Sequence, residues 1–336
     1  MTIEFSRVGV APRLRWAVVL AAVSICAVGA VRTGIFKQSI WNPVGEQRFL
    51  LYSAFFAAVA LLIFFVRREA LLPSIAAAML LDAAVLTGVQ PVLALLFFTL
   101  ACYGIGLPLL RTLRLDAPGR SRSLSLDVFA LVAGAGIWGF VVSLEAFTPW
   151  NSAAVHGLVL SIPAIAAARD IWIRVRMALR TPGSGPQTAA GYWAMALLLY
   201  VLGAQFLMSL KPEVSADGIA VHLVVPMHMA AHHSWHFDVA QISWAVMPMT
   251  AEWCFTTLYL LGGEFAAKLL PFVFLVISCV LIVLLCRRLA SRPVALLIAA
   301  VYAATPVVQL ITGAMFTDTL WAAFLLGGAV LAPRQE

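Results

Sequence analysis

The sequence predicts an all-α polytopic membrane protein, with about ten transmembrane helices and with interfacial helices in a long outer loop. Three observations carry this. Of the 336 residues, 63% are hydrophobic and 11% charged, with a mean hydropathy of +0.98; a soluble domain carries about 25% charged residues, so too little charge is present to coat a water-soluble fold. The apolar residues come in runs long enough to cross a bilayer as helices. The arginines fall in short clusters between those runs. This composition excludes a soluble enzyme, a secreted disulfide scaffold and a disordered chain. The net charge of +7 does not imply nucleic acid, because basic clusters between apolar runs are a topology signal. Of the five cysteines, Cys26, Cys102, Cys279 and Cys286 lie in apolar runs as small side chains, Cys254 lies in a polar-mixed segment, and none has metal-ligand spacing.

In chain order the expected spans are 16–32, 49–66, 70–88, 91–110, 124–146, 152–168, 189–210, 264–286, 293–312 and 315–333. Each is close to the roughly 20 apolar residues that a bilayer requires. Pro73, Pro108, Pro163 and Pro306 interrupt four of them, which membrane helices tolerate because neighbours satisfy the freed backbone groups. The first run also fits a cleaved signal peptide, with a basic start and Val28-Gly29-Ala30 as cleavage site. A retained span is preferred because further spans follow. The tightest passage is 70–110, where a turn of about two or three residues separates two spans.

The basic residues orient the chain. With a cytoplasmic N-terminus, the inner side receives Arg7, Arg13, Arg15, Arg67, Arg68, Arg111, Arg114, Arg120, Arg122, Arg169, Arg174, Arg176, Arg180, Arg287, Arg288, Arg292 and Arg334, which is 17 of the 22. The outer side receives Arg32, Lys37, Arg48, Lys211 and Lys268. Cytoplasmic loops carry such an excess, so the split supports both the span count and an integral plasma (inner) membrane location with the N-terminus inside.

One linker, 180–187, is rich in proline and glycine. It suggests an N-terminal module of six spans (1–187) and a second module (188–336) of four spans plus the outer loop 211–263. That loop holds five of the six histidines (His222, His228, His232, His233 and His236) together with Glu213, Asp217, Asp238 and Glu252. Its segments 219–231 and 253–261 mix apolar and polar positions as interfacial helices do, and Trp235, Trp244 and Trp253 fit an interfacial aromatic belt. Glu252, Thr256 and Tyr259 share one helix face beside a stripe of Phe255, Leu258 and Leu261. A second outer acid, Asp318, follows Gly313 in the turn between the last two spans.

The stretch Lys211-Pro-Glu-Val-Ser-Ala-Asp217-Gly-Ile-Ala-Val-His222-Leu-Val-Val-Pro226 resembles the first outer loop of GT-C glycosyltransferases related to the protein mannosyltransferases and aminoarabinose transferases. Pro248 through Glu252, then Leu260 to Lys268, is similar to the end of that loop and the next span; Thr305-Pro306 and Phe316-Thr-Asp318 look like the second-loop acid and its helix. The resemblance covers 191–333 and rests on the order and spacing of these pieces. It implies transfer of a sugar from a polyprenyl-phosphate-linked donor to a hydroxyl on a glycan, lipid or protein acceptor, at the outer membrane face among membrane lipids. Asp217 would match the first-loop aspartate and Asp318 the second-loop acid, both catalytic. Glu252 sits where some members hold a carboxylate near the donor phosphate or a metal. Two features depart from the pattern: Gly218 follows Asp217 where a second acid is common, and Val221 replaces a tyrosine. Members usually continue through further spans, so a chain stopping at Glu336 also fits a fragment, a split gene product or an inactive relative.

Inverting transfer needs a carboxylate to take the acceptor proton and positive charge to hold the leaving phosphate. Asp217 is the candidate base. Lys211, His222 and Lys268 are candidate phosphate partners, with Glu252, as substrate-binding residues; Glu252 and His222 are candidate ligands for a divalent cation. Each has a plainer reading. Asp217 and Asp318 fit helix caps, Glu252 fits a solvated interfacial carboxylate, and the His228, His232, His236 stripe fits either a metal or an interfacial face that ends at Ser234-Trp235. A transporter or flippase for lipid-linked intermediates is the alternative function, with Asp82 as its intramembrane acid.

Overall fold

The computed structural model describes residues 43–113, 115, 124–180, 188–238, 240–242 and 249–331, with isolated positions 21, 24 and 28. The expected first span, its cleavage-site alternative, most of the 180–187 linker and Trp244 lie outside the described residues. The chain divides into two compact units, 1–59 and 60–336. Among the described residues there are helices and no strands. They are α1 (Pro43–Val66), α2 (Leu71–Thr87), α3 (Val89–Thr112), α4 (Leu124–Glu145), α5 (Ala153–Arg180), α6 (Ala189–Ser209), α7 (Val224–His232), α8 (Thr250–Cys286), α9 (Arg292–Ala304), α10 (Pro306–Gly313) and α11 (Asp318–Leu331). Seven are long and apolar enough to cross a membrane, from Val44–Val66 to Thr250–Cys286. The protein is therefore an all-α, multi-pass membrane protein.

The second and third expected spans, 49–66 and 70–88, are separate helices α1 and α2, joined by a 3₁₀ turn at Arg68–Ala70. Two C-terminal segments differ from expectation. The run 293–312 is a bent pair, α9 and α10, meeting at 65°. Pro306 causes the break: it lacks the N–H that would continue α9 and begins α10 instead. The last run forms the 14-residue α11, about 21 Å long at 1.5 Å per residue, short of a bilayer core of about 30 Å.

Helix α8 also differs. The segment 253–261 and the span 264–286 are one 37-residue helix broken at Gly263, whose φ of 74° belongs to the left-handed region that glycine adopts without strain. Its first two turns do not lie on a lipid–water surface: every residue from Ala251 to Leu258 is buried. Trp138 donates its indole N–H to Thr257 Oγ1 (2.8 Å), the Cys254 thiol points to the Ala135 carbonyl (3.5 Å), and Trp235 and Trp253 are core side chains with rings 6.2 Å apart. The alternation of apolar and polar residues here reports buried hydrogen bonds, so neither tryptophan serves the expected interfacial belt.

The core of the 60–336 unit is continuous across the 180–187 linker, since residues of α3, α4 and α5 cluster with residues of α7, α8 and α11. Helices α3 and α4 pack through glycine: a β-carbon at Gly106 would stand 1.8 Å from the Ala130 carbonyl oxygen, and one at Gly134 1.7 Å from that of Cys102. Small residues replace the hydrophobic drive that lipid does not supply.

The helix ends sort into two groups. At one end, the loop end, Gln90 reaches the Leu261 carbonyl (3.0 Å), Trp235 N–H donates to Ala146 O (2.6 Å), and Asn151 donates to the carbonyls of Glu145, Thr148 and His233. The opposite, basic end carries Arg67, Arg68, Arg111, Arg174, Arg287 and Arg288, where the Arg288 guanidinium donates to the Val330 carbonyl.

Candidate functional site

The loop end is organised by a glutamate that the sequence reading left without a role. Glu213, 7% exposed, follows the chain's exit from α6. Its Oε1 accepts the N–H groups of Val214 (3.0 Å) and Ser215 (2.8 Å) and the Ser215 hydroxyl (2.7 Å). Its Oε2 accepts Met315 N–H (2.6 Å) from the turn before α11 and lies 3.6 Å from the Lys268 ammonium. The Glu213 N–H donates to Glu264 Oε1 (2.6 Å). Burial alone would raise this carboxyl's pKa; the Ser215 and Met315 hydrogen bonds and the Lys268 charge outweigh it and hold the group below the usual carboxylate range.

Lys268 lies on α8 one turn past Gly263 and is 1% exposed. It donates to the Pro212 carbonyl (2.8 Å). Its ammonium is thus turned into the protein, toward the base of the 211–217 loop, rather than out toward a substrate phosphate. Lys211 is exposed, its ammonium 3.5 Å from Met208 Sδ.

Asp217 stands just before a π-helical turn, Gly218–Leu223, and is exposed. Its carboxylate does not cap that turn; Ser215 does, its hydroxyl accepting Gly218 N–H (3.0 Å) and its carbonyl accepting Ile219 N–H (3.0 Å). Asp217 has no hydrogen-bond or ion-pair partner among the described residues. Asp318 opens α11 and is likewise exposed, while the Thr317 carbonyl takes the first helical N–H groups. Two contacts flank these acids and tie their loops together. Glu213, four residues before Asp217, accepts from Met315, three residues before Asp318. The His222 ring lies 5.7 Å from that of Phe316.

Glu252 and His222 form a pair. Glu252, in the first turn of α8 and 6% exposed, has Oε1 2.9 Å from His222 Nδ1. The π turn presents His222 to α8, where Phe255 meets the imidazole edge-on at 6.5 Å. No third His, Cys, Asp or Glu joins them in a metal-holding group among the described residues. The histidine stripe ends early: α7 stops at His232, His233 adopts φ 58°, and His236 leaves the helix to meet Ser234 Oγ (3.1 Å). Burial, then the neighbouring His232 and His236, push the His228 pKa down. Asp82 is exposed on α2 and is not enclosed between helices as a transport path would require.

Glu213, Glu264, Ser215 and Phe316 were missed by sequence reasoning. One signal pointed to the first two: a lysine inside an apolar span requires a buried counter-charge, and the acids within reach in sequence are few. Compared with known proteins, the chain matches no family model, no curated protein and no solved structure.

Proposed function

We propose that the protein is a membrane glycosyltransferase of GT-C type that moves a sugar from a polyprenyl-phosphate donor to an acceptor hydroxyl at the outer membrane face. The observation that carries the reading is the Glu213 carboxylate, which clamps the loop of Asp217 to the loop of Asp318 at one end of the bundle. Both acids are exposed and unengaged in capping, as groups meant for a substrate are. Lys211 is the exposed cation nearest in sequence to Asp217 and the choice for the donor phosphate. Lys268 supports the loop instead of binding the donor. In this reading about ten spans cross the membrane, the N-terminus is cytoplasmic, and the basic end faces the cytoplasm of a plasma (inner) membrane. A divalent cation, if used, would sit at Glu252 and His222 with substrate oxygens completing its shell.

The test is transfer by the purified protein in nanodiscs, supplied with labelled undecaprenyl-phosphate hexoses and pentoses and an alkyl glycoside acceptor. Asp217→Asn and Asp318→Asn should each lower turnover by roughly 10²-fold or more while insertion and monodispersity stay unchanged. Wild-type protein inert with every donor, or both variants at wild-type rate, would discard the reading.

A further inference from the structure

The outer loop carries a histidine pair that the transferase reading does not use. We propose that His228 and His232 bind a divalent transition-metal ion of the zinc, nickel and copper class, held between successive turns of α7. The site is separate from the pair of Glu252 and His222 and does not depend on sugar transfer.

Hydrogen bonding sets these two rings apart from the other four. Among the described residues a ring nitrogen of His156 meets Thr257 Oγ1, one of His222 meets Glu252, one of His233 meets the Asn151 carbonyl and one of His236 meets Ser234 Oγ. The rings of His228 and His232 have no such partner, and they stand one turn apart on α7 with centroids at 4.5 Å. A spacing of i, i+4 puts both on one face of the helix. His232 is exposed and His228 half-buried, so the pair borders solvent. The helix beneath them is fixed, because Val225, Pro226 and Met229 are buried along the adjoining face. Trp235, itself 1% exposed, meets the His228 ring edge-on at 5.2 Å and holds it in place.

Two imidazoles four residues apart on a helix are the arrangement by which helical His-x-x-x-His motifs hold zinc. Imidazole nitrogen suits Zn²⁺, Ni²⁺ and Cu²⁺, whereas Mg²⁺ and Ca²⁺ favour carboxylate and carbonyl oxygen. A metal needs the neutral ring. Burial, then the neighbouring His232 and His236, push the His228 pKa down, which leaves its lone pair available at neutral pH. No third His, Cys, Asp or Glu completes a metal-holding group among the described residues. Solvent or an added oxygen ligand therefore fills the other positions, and the ion is held less tightly than at a four-ligand structural zinc site. Bridging two turns also opposes fraying of α7, whose nine residues are too few for a helix to be stable by itself.

The test uses the full chain, free of any histidine tag, in nanodiscs stripped with a chelator. Cu²⁺ added to it should give an electron paramagnetic resonance spectrum with couplings from two imidazole nitrogens. Zn²⁺ should bind by calorimetry and raise the Tm, since a ligand of the folded state stabilises it. His228→Ala and His232→Ala should each abolish the two-nitrogen signal and weaken Zn²⁺ binding by roughly 10–100-fold, at least the cost of losing an outer partner of a ligand. His236→Ala and His222→Gln should keep both, and His228→Ala added to His222→Gln should remove them. Wild-type protein without Zn²⁺ binding, His228→Ala and His232→Ala at wild-type affinity, or binding lost in His222→Gln alone, overturns the site. None of these outcomes alters the transfer assay, so the two readings fail separately.

Discussion

Two polar clusters hold the helices together, one at each end, and they are built differently. At the loop end, Glu213 and Lys268 are almost wholly enclosed, and the carboxylate collects hydrogen bonds from Val214, Ser215 and Met315. At the basic end, Arg174 of α5 bridges Asp127 of α4 and Asp170 one turn before it, and Tyr103 of α3 donates to Asp170 (2.5 Å) and Asp127 (3.2 Å). The Arg174 side chain is 26% exposed. A buried charge is expensive unless every lone pair and proton is matched, whereas a partly solvated pair gains little and is screened. The loop-end cluster is therefore a specific latch between two loops, and the basic-end cluster a modest brace between three helices.

Removing the latch gives the largest expected effect. Glu213→Ala removes the carboxylate beside the Lys268 ammonium and leaves four donors without their acceptor, and should cost about 3–5 kcal/mol. Lys268→Met should cost less, because the carboxylate keeps its N–H and hydroxyl partners and the methionine fills the volume. Thermal unfolding in detergent measures both; equal losses would mean that the charge pair, not the hydrogen-bonded loop, carries the latch. Cysteine labelling at 217 and 318 in the Glu213→Ala background should show the loops released from each other.

Acid comes next. Because the Glu213 pKa is depressed by folding, the folded state binds this proton less readily than the unfolded state. The latch's contribution is complete above the ordinary glutamate value of about 4.3 and is lost as pH falls through the lower folded value. Between neutral pH and about 5 the Tm should not change through this group, and Glu213→Gln should flatten the acid limb below that. Loss of stability already near pH 6 that depends on Glu213 would reverse the sign.

The smallest effect belongs to the brace. Arg174→Gln should cost about 1 kcal/mol or less, and high salt should reproduce most of the loss in the wild type. A penalty as large as that of Glu213→Ala would abolish the distinction between the two ends.

Much of the helical framework is legible in the sequence. The apolar runs at 49–66, 70–88, 91–110, 124–146 and 189–210 correspond to α1, α2, α3, α4 and α6, because span length is a local property of composition. Segments fail where a neighbour decides. The run 253–261 reads as interfacial because its polar side chains cannot reveal that Trp138 and Ala135 wait to bond Thr257 and Cys254. Asp217, read as the candidate base, has capping as its plainer alternative because Asp commonly caps; Ser215, equally visible, takes that role once Glu213 folds the loop around it.

Sequence alone determined that the chain is an apolar helical membrane protein and where most of its described long helices lie, since both follow from apolar length and from backbone groups that must be satisfied within each segment. It also located the polar loop where chemistry is to be sought. Only the tertiary structure decided which polar groups meet: that Lys268 turns inward to Glu213, that Met315 closes the same carboxylate, and that Glu252 reaches back 30 positions to His222. Those pairings join residues distant in sequence, and burial, which forces each charge to find a partner, exists only once the helices have packed.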